Sequence, residues 1–150
     1  MIASKSVAST SSELVSAYRA KHLSPIDVVE AHLSRIATLD PMLRAFVTLR
    51  ADAAIVEARR SADRWADGNP IGPLDGVPVS VKDLMTVAGL PMTGGSSRPW
   101  PAAERDATAV QRLRSAGAIV LGTNTLHEYA FGGTSVNAHV GTPRNPRDPD

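Results

Sequence analysis

A chain of 150 residues, 43% hydrophobic and 21% charged, is long enough for one domain with a true core and has the composition of a soluble globular protein. The formal net charge is +1 and the sixteen basic residues are scattered, which argues against the basic stripe that nucleic-acid binding needs. The absence of cysteine excludes disulfides, thiolate catalysis and cysteine-ligated zinc, and no apolar run approaches a membrane span.

The opening "MIASKSVASTSSELV" has no apolar core of signal-peptide type, so a cytoplasmic location is expected. Thr10 and Glu13 form a capping box that predicts a first helix through "LVSAYRAKH". A second helix is predicted from Ser24 as cap and Pro25 as first residue, with Asp27 complementing its dipole. Ile26, Val29, Leu33 and Ile36 fall on one face of it, and the Asp40-Pro41 pair is expected to stop it.

"AFVTL" at 45–49 predicts a short strand. The third helix places Ala51, Ile55, Ala58, Ala62 and Trp65 on one stripe and ends at Gly68. After the turn residues of "NPIGPLDG", the β-branched run "VPVSV" at 77–81 predicts a second strand. Asp106 is expected to cap a helix through "ATAVQRLRSA" that Gly117 closes, and "AIVLG" at 118–122 has the pattern of a strand buried on both faces. The order indicates an α/β fold, in which N-terminal helices precede a mostly parallel sheet flanked by helices. The tail "GTPRNPRDPD" closes on no element, as expected of a segment from a longer chain.

In such sheets ligands bind beyond the carboxyl ends of the strands. Lys82 lies at one such end, and "GTNTLHEYAFGG" follows another. Strand alternation puts Val77, Val79 and Val81 on one face, with Pro78, Ser80 and Lys82 on the other. Two readings of Lys82 fit this placement. One is a solvated side chain snorkelling from a strand end. The other is an amine partly buried beneath helices, its pKa lowered by desolvation so that it can activate a serine.

The segment "GPLDGVPVSVKDLMTVAGLPMTGGS" at 72–96 resembles the amidase signature family, whose members carry a Gly-Pro-Leu-x-Gly-Val-Pro-Val-x-Val-Lys-Asp motif followed by a Thr-x-Gly-Ser-like turn. The likeness continues through "DATAVQRLRSAGAIVLGTNTLHEYAFGG" and reaches "NAHVGTPRNPRD" at 137–148. "SPIDVVEAHLSRI" in the N-terminal helices is similar to the family's opening, so the resemblance covers nearly the whole chain. It implies hydrolysis of a carbon–nitrogen amide bond through an acyl-enzyme, by a serine nucleophile activated through a cis-serine and a lysine. It assigns that lysine to Lys82 and gives Asp83 a structural part, capping or anchoring the turn.

Both serines of the family follow its Asn-Pro-x-Asp motif, which here is Asn145, Pro146, Arg147 and Asp148. Residues 1–150 are therefore expected to be the N-terminal portion of a single amidase domain that continues beyond 150, lacking both serines and inactive alone. "GGSS" at 94–97 occupies the family's upstream turn, and is expected to be a flexible turn with hydroxyl caps. Phe131, Gly132 and Gly133 lie where the family borders its substrate pocket; the alternative is that Tyr129 and Phe131 are core aromatics and the glycines make a turn.

His22, His32, His127 and His139 show no metal-ligand spacing, with the first two expected to be solvated, and no cofactor is implied. The implied partners are a small-molecule amide substrate and a second copy of the chain or amidotransferase subunits, with no nucleic acid and no membrane. Two alternatives stand beside the amidase reading: the glutaminase subunit of a tRNA-dependent amidotransferase, and a non-catalytic truncated remnant. A sheet without its later strands is also expected to leave an unpaired edge.

Overall fold

The computed structural model describes residues 9–148, so the reading of the first eight residues lies outside the described part. In chain order the elements are α1 (Ser11–Arg19), α2 (Pro25–Leu43), β1 (Phe46–Leu49), α3 (Ala51–Ala66), β2 (Pro78–Lys82), α4 (Thr108–Ser115) and β3 (Ile119–Asn124), then a 3-10 turn at Glu128–Ala130. The α/β class stands. Two compact units share the chain, one formed by Met1–Ile36, Arg50–Val79 and Arg112–Leu121, the other by Ala37–Leu49, Ser80–Gln111 and Gly122–Asp150.

In the first unit, the capping box begins α1 as expected: Glu13 N–H donates to Thr10 Oγ1, and Thr10 N–H donates to the Glu13 carboxylate at 2.6 Å. Leu14 and Tyr18, four residues apart on that helix, are buried with Val28 and Trp65. Val29 of α2 joins Ala54, Ala58, Ile119 and Leu121 in a second cluster, against which Ile26, Leu33 and Ile36 pack. Helix α3 departs from its expected stripe, because it buries Ala54, Ala58, Ser61 and Trp65. Ser61 is drawn inward by a polar partner that apolar periodicity does not register.

That partner is Asp75, which is fully buried. Its carboxylate accepts from Ser61 Oγ at 2.7 Å, from Arg64 Nε and Nη2 at 2.8 and 2.6 Å, and from Ile71 N–H at 3.0 Å. Trp65 Nε1 donates to the Asp75 carbonyl at 3.0 Å, and Tyr18 Oη to the Gly76 carbonyl at 3.1 Å. Burial, with the Asp75 charge adding to it, holds the Tyr18 phenol far above its ordinary pKa, so it remains a donor. Gly117, at φ +95°, closes α4 as expected, and a Cβ there would lie 2.5 Å from Asp75 Cα. Only glycine fits that approach.

In the second unit, Asp40-Pro41 does not stop α2, which runs on to Leu43 with Pro41 inside it. Proline removes a single donor in the last turn, and the exit is held by other means. Arg44 takes φ +52° and its N–H donates to the Asp40 carbonyl at 2.8 Å. The Asp40 side chain then accepts the N–H groups of Ala45 and Phe46 at 2.7 and 3.2 Å. Asp40 thus steers the chain into β1. Asp106 precedes α4, which starts at Thr108, and accepts Ala88 N–H at 2.7 Å.

The strand order is β1-β3-β2. Bonds from Ile119 N–H to the Val77 carbonyl and from Asp83 N–H to the Asn124 carbonyl, at 2.9 and 3.1 Å, show β2 and β3 running parallel. β1 corrects the expected direction, pairing antiparallel with β3 through Phe46↔Asn124, Thr48↔Thr123 and Leu49↔Gly122, with Val47 as an extra residue. The sheet is therefore mixed. Strand direction depends on where the preceding helix releases the chain, and an apolar run of four residues carries no such information. β3 is buried along Ile119–Thr123, as its continuous apolar run requires.

For Asp75, burial pushes the carboxyl pKa up, but the bonds from Arg64, Ser61 and Ile71 N–H outweigh it and the net direction is down. Its stabilisation is then complete above the unfolded carboxyl value of about 3.9 and is lost as pH falls through the lower folded value. Asp75→Asn, which leaves Arg64 without its charged partner, should cost about 3 kcal/mol at neutral pH. In urea titrations the gap between variant and parent should narrow below about pH 4.

Candidate functional site

The second unit carries the residues for which the sequence predicts chemistry. Along β2, Ser80 and Lys82 are exposed while Val81 and Asp83 are buried, so the expected alternation holds at the strand end. Lys82 is therefore exposed rather than partly buried beneath helices, and its amine makes no side-chain hydrogen bond or ion pair with the described residues. Strand pleating sets this: the inward position belongs to the next residue, Asp83.

Asp83 joins three segments. Its N–H donates to the Asn124 carbonyl at the end of β3, and its own carbonyl accepts Gly94 N–H at 3.1 Å. Its Oδ2 accepts both the N–H and the hydroxyl of Thr93, the first at 3.0 Å. Thr93 Oγ1 in turn accepts Gly95 N–H at 2.9 Å. This matches the anchoring part expected of Asp83.

The 94–97 turn is not a loose one. Thr93, Gly94, Gly95 and Ser96 are buried, and Ser97 alone of the four "GGSS" residues is exposed. Gly94 and Gly95 have φ of +59° and +74°, a conformation that side chains rarely adopt. A Cβ on Gly95 would lie 2.6 Å from Asn137 Nδ2. The Ser96 hydroxyl accepts Arg98 N–H at 3.3 Å, so the hydroxyl cap is present although the turn is fixed.

Asn137 ties this turn to the loop after β3. Its Nδ2 donates to the carbonyls of Gly95 and Leu126 at 2.8 and 2.9 Å. Its Oδ1 accepts the N–H groups of His139 and Val140 at 2.8 and 3.1 Å. Tyr129 N–H adds a bond to the Gly94 carbonyl at 2.7 Å. The strand end at Lys82, the Gly94–Gly95 turn and the loop after β3 are thus joined by backbone and buried polar bonds, as the rim argument anticipates.

Phe131 is 94% exposed and Tyr129 55% exposed, so neither is a core aromatic. Tyr129 packs edge-on against Trp100 with centroids 6.0 Å apart, and both rings cover Gly94. Tyr129 and Ala130 both hold positive φ, of 50° and 57°, a costly geometry for residues with side chains. A Cβ on Gly132 would meet the His127 ring at 2.5 Å, whereas Gly133 faces open space. A cleft of about 560 Å³ in the same unit has Arg44, Asn137, Thr142, Arg144, Asn145 and Asp148 among its walls. Lys82 and Phe131 do not line it.

Sequence reasoning gave no bonding part to Asn137 or to Trp100. A threonine two residues before a glycine is a hydroxyl-turn signal that identifies Thr93. Nothing local marks Asn137, whose partners lie 42 and 11 residues away. No group of three or more His, Cys, Asp or Glu residues arranged to hold a metal occurs among the described residues. His22 is exposed as expected, whereas His32 is half-buried with Nδ1 at 2.8 Å from the Val28 carbonyl.

The sequence profile of the amidase family matches residues 27–150. This chain belongs to the amidase signature family. It is 41% identical over 141 residues to the A subunit of the glutamyl-tRNA(Gln) amidotransferase of Acidothermus cellulolyticus, covering 93% of this chain and 28% of that protein. The structure of the peptide amidase of Stenotrophomonas maltophilia superposes with a TM-score of 0.84 at 34% identity, covering 93% of this chain and 30% of that one. Fatty acid amide hydrolase shares the fold, with a TM-score of 0.90 at 21% identity over 97% of this chain and 26% of its own. This family member thus spans less than a third of the length of these relatives. No helix among its described residues is long and apolar enough to cross a membrane.

Asn137→Ala should remove four hydrogen bonds and leave the Gly95 and Leu126 carbonyls without that donor, at roughly 2–4 kcal/mol. Asn137→Asp, which sets a buried carboxylate oxygen against the Gly95 and Leu126 carbonyl oxygens, should cost at least as much as the alanine variant. Denaturant midpoints check the order, and limited proteolysis should report earlier cleavage within 94–98 and 127–142 for the alanine variant.

Proposed function

We propose that these residues form the N-terminal part of a single amidase domain that continues beyond residue 150 and hydrolyses the carbon–nitrogen bond of a small amide. The observation that carries this reading is Lys82, at the carboxyl end of β2 within the family-matched segment and one residue before the buried anchor Asp83. Neutral Lys82 accepts a proton through a bridging cis-serine from the nucleophilic serine. That serine attacks the amide carbonyl, the amine leaves, and water releases the carboxylic acid from the acyl-enzyme. Phe131, Gly132 and Gly133 border the substrate, and the exposure of Phe131 supports that part. Both serines lie in the continuation, so the 150-residue chain alone is inactive. In that assembly the continuation covers Lys82.

A second reading has its own support. Identity of 41% to the A subunit of an amidotransferase favours glutamine as the amide, with ammonia passed to a partner protein. Assays of the full-length protein against glutamine and against aryl and alkyl amides decide between the two.

The encoded sequence after Asp150 gives the first test: a stop codon there overturns the reading. In the full-length protein, Lys82→Ala and Lys82→Arg should each lower kcat/KM by about 10²–10⁴-fold, because arginine keeps the charge and cannot give up its proton. Both should also lose labelling by a fluorophosphonate. Retention of activity in Lys82→Arg would assign the base elsewhere.

A further inference from the structure

Asp83 is fully buried, and its carboxylate is half used. Oδ2 holds both donors of Thr93, whereas Oδ1 is buried and has no hydrogen-bond partner. Thr123 Oγ1 and His127 Nδ1 share this condition, and Asp83 Oδ1 is the one carboxylate oxygen with it among the described residues. An ionisable acceptor left dry and unpaired costs more than an orphaned hydroxyl or ring nitrogen.

Four backbone donors of the segments that Asp83 joins are already used. The N–H groups of Asp83, Thr93, Gly94 and Gly95 bond to the Asn124 carbonyl, Asp83 Oδ2, the Asp83 carbonyl and Thr93 Oγ1 respectively. Lys82 points from the opposite face of the strand. Oδ1 is thus open to a donor from outside this chain, which spans less than a third of the relatives it matches.

We propose that Asp83 Oδ1 accepts a hydrogen bond from an N–H group in the part of the amidase fold that this chain does not span, which makes Asp83 a positioning residue. One oxygen fixes the Thr93–Gly95 turn, and the other fixes the incoming segment relative to the strand end that carries Lys82. The inference rests on the reading of these residues as part of a larger amidase.

Asp83→Asn is a selective probe. Asparagine can turn its oxygen to both Thr93 donors, but then presents an NH2 group where the incoming N–H needs an acceptor. In the full-length protein, active sites titrated with a fluorophosphonate should turn over about 10–100-fold more slowly per site, with KM within about twofold. Fewer titratable sites with an unchanged rate per site would reduce Asp83 to a structural anchor and overturn the proposal.

Denaturation supplies a readout free of catalysis. Asp83→Asn should leave the 150-residue chain unchanged or more stable, and should lower the unfolding midpoint of the full-length protein. Equal effects in both would mean that Oδ1 meets only solvent or a reorientable water, and would overturn the proposal. Should the variant fail to fold, Thr93→Val in the same two backgrounds decides. It strips Oδ2 of one donor and should cost more in the full-length protein, where the anchored turn also holds the incoming segment; equal costs would overturn the proposal. A full-length parent without amidase activity would sink the proposed function, while the stability comparison would still decide the part played by Asp83.

Discussion

The second unit depends on the grip of one carboxylate oxygen on one threonine. Asp83 Oδ2 takes both the N–H and the hydroxyl of Thr93, and the same hydroxyl oxygen takes Gly95 N–H. Through that short relay, the end of β2 determines the path of a turn ten residues downstream. The turn then provides the carbonyls to which Asn137 and Tyr129 attach. Removing the relay would leave the two left-handed glycines held only by the Asp83 carbonyl, Tyr129 N–H and Asn137. Lys82 owes its outward direction to the same residue, since the inward position is already taken.

Much of this was legible in the residues because the signals were local. The capping box at Thr10 and Glu13, the left-handed Gly117 and the buried run of β3 each follow from a few adjacent side chains. Lys82 could be placed at a strand end because the β-branched run at 77–81 stops just before it. Long-range polar pairing was not legible. Ser61 sits on the buried face of α3 because Asp75 lies fourteen residues away in sequence, and Asn137 is buried because Gly95 is forty-two away. The passage of α2 through Pro41 was missed for a local reason, since the Asp40 side chain compensates the exit by bonding five and six residues on.

Two buried aspartates make an instructive pair. Asp75 is saturated, with Arg64, Ser61 and Ile71 N–H filling both oxygens, and its work is complete within the first unit. Asp83 is buried as deeply and carries one oxygen without a donor. The first is what a finished structural network looks like. The contrast is informative because both sit just after or before a strand of the same apolar run, in the same sequence motif.

The strand order β1-β3-β2 places β2 at the margin of the sheet, with hydrogen bonds to β3 on one side only. A bare margin is a template on which another chain can add a strand. The charged Lys82 and the polar Ser80, both exposed on this margin, work against such addition. The amine proposed as a base would then have a second duty in this chain, keeping one molecule from zipping onto the next.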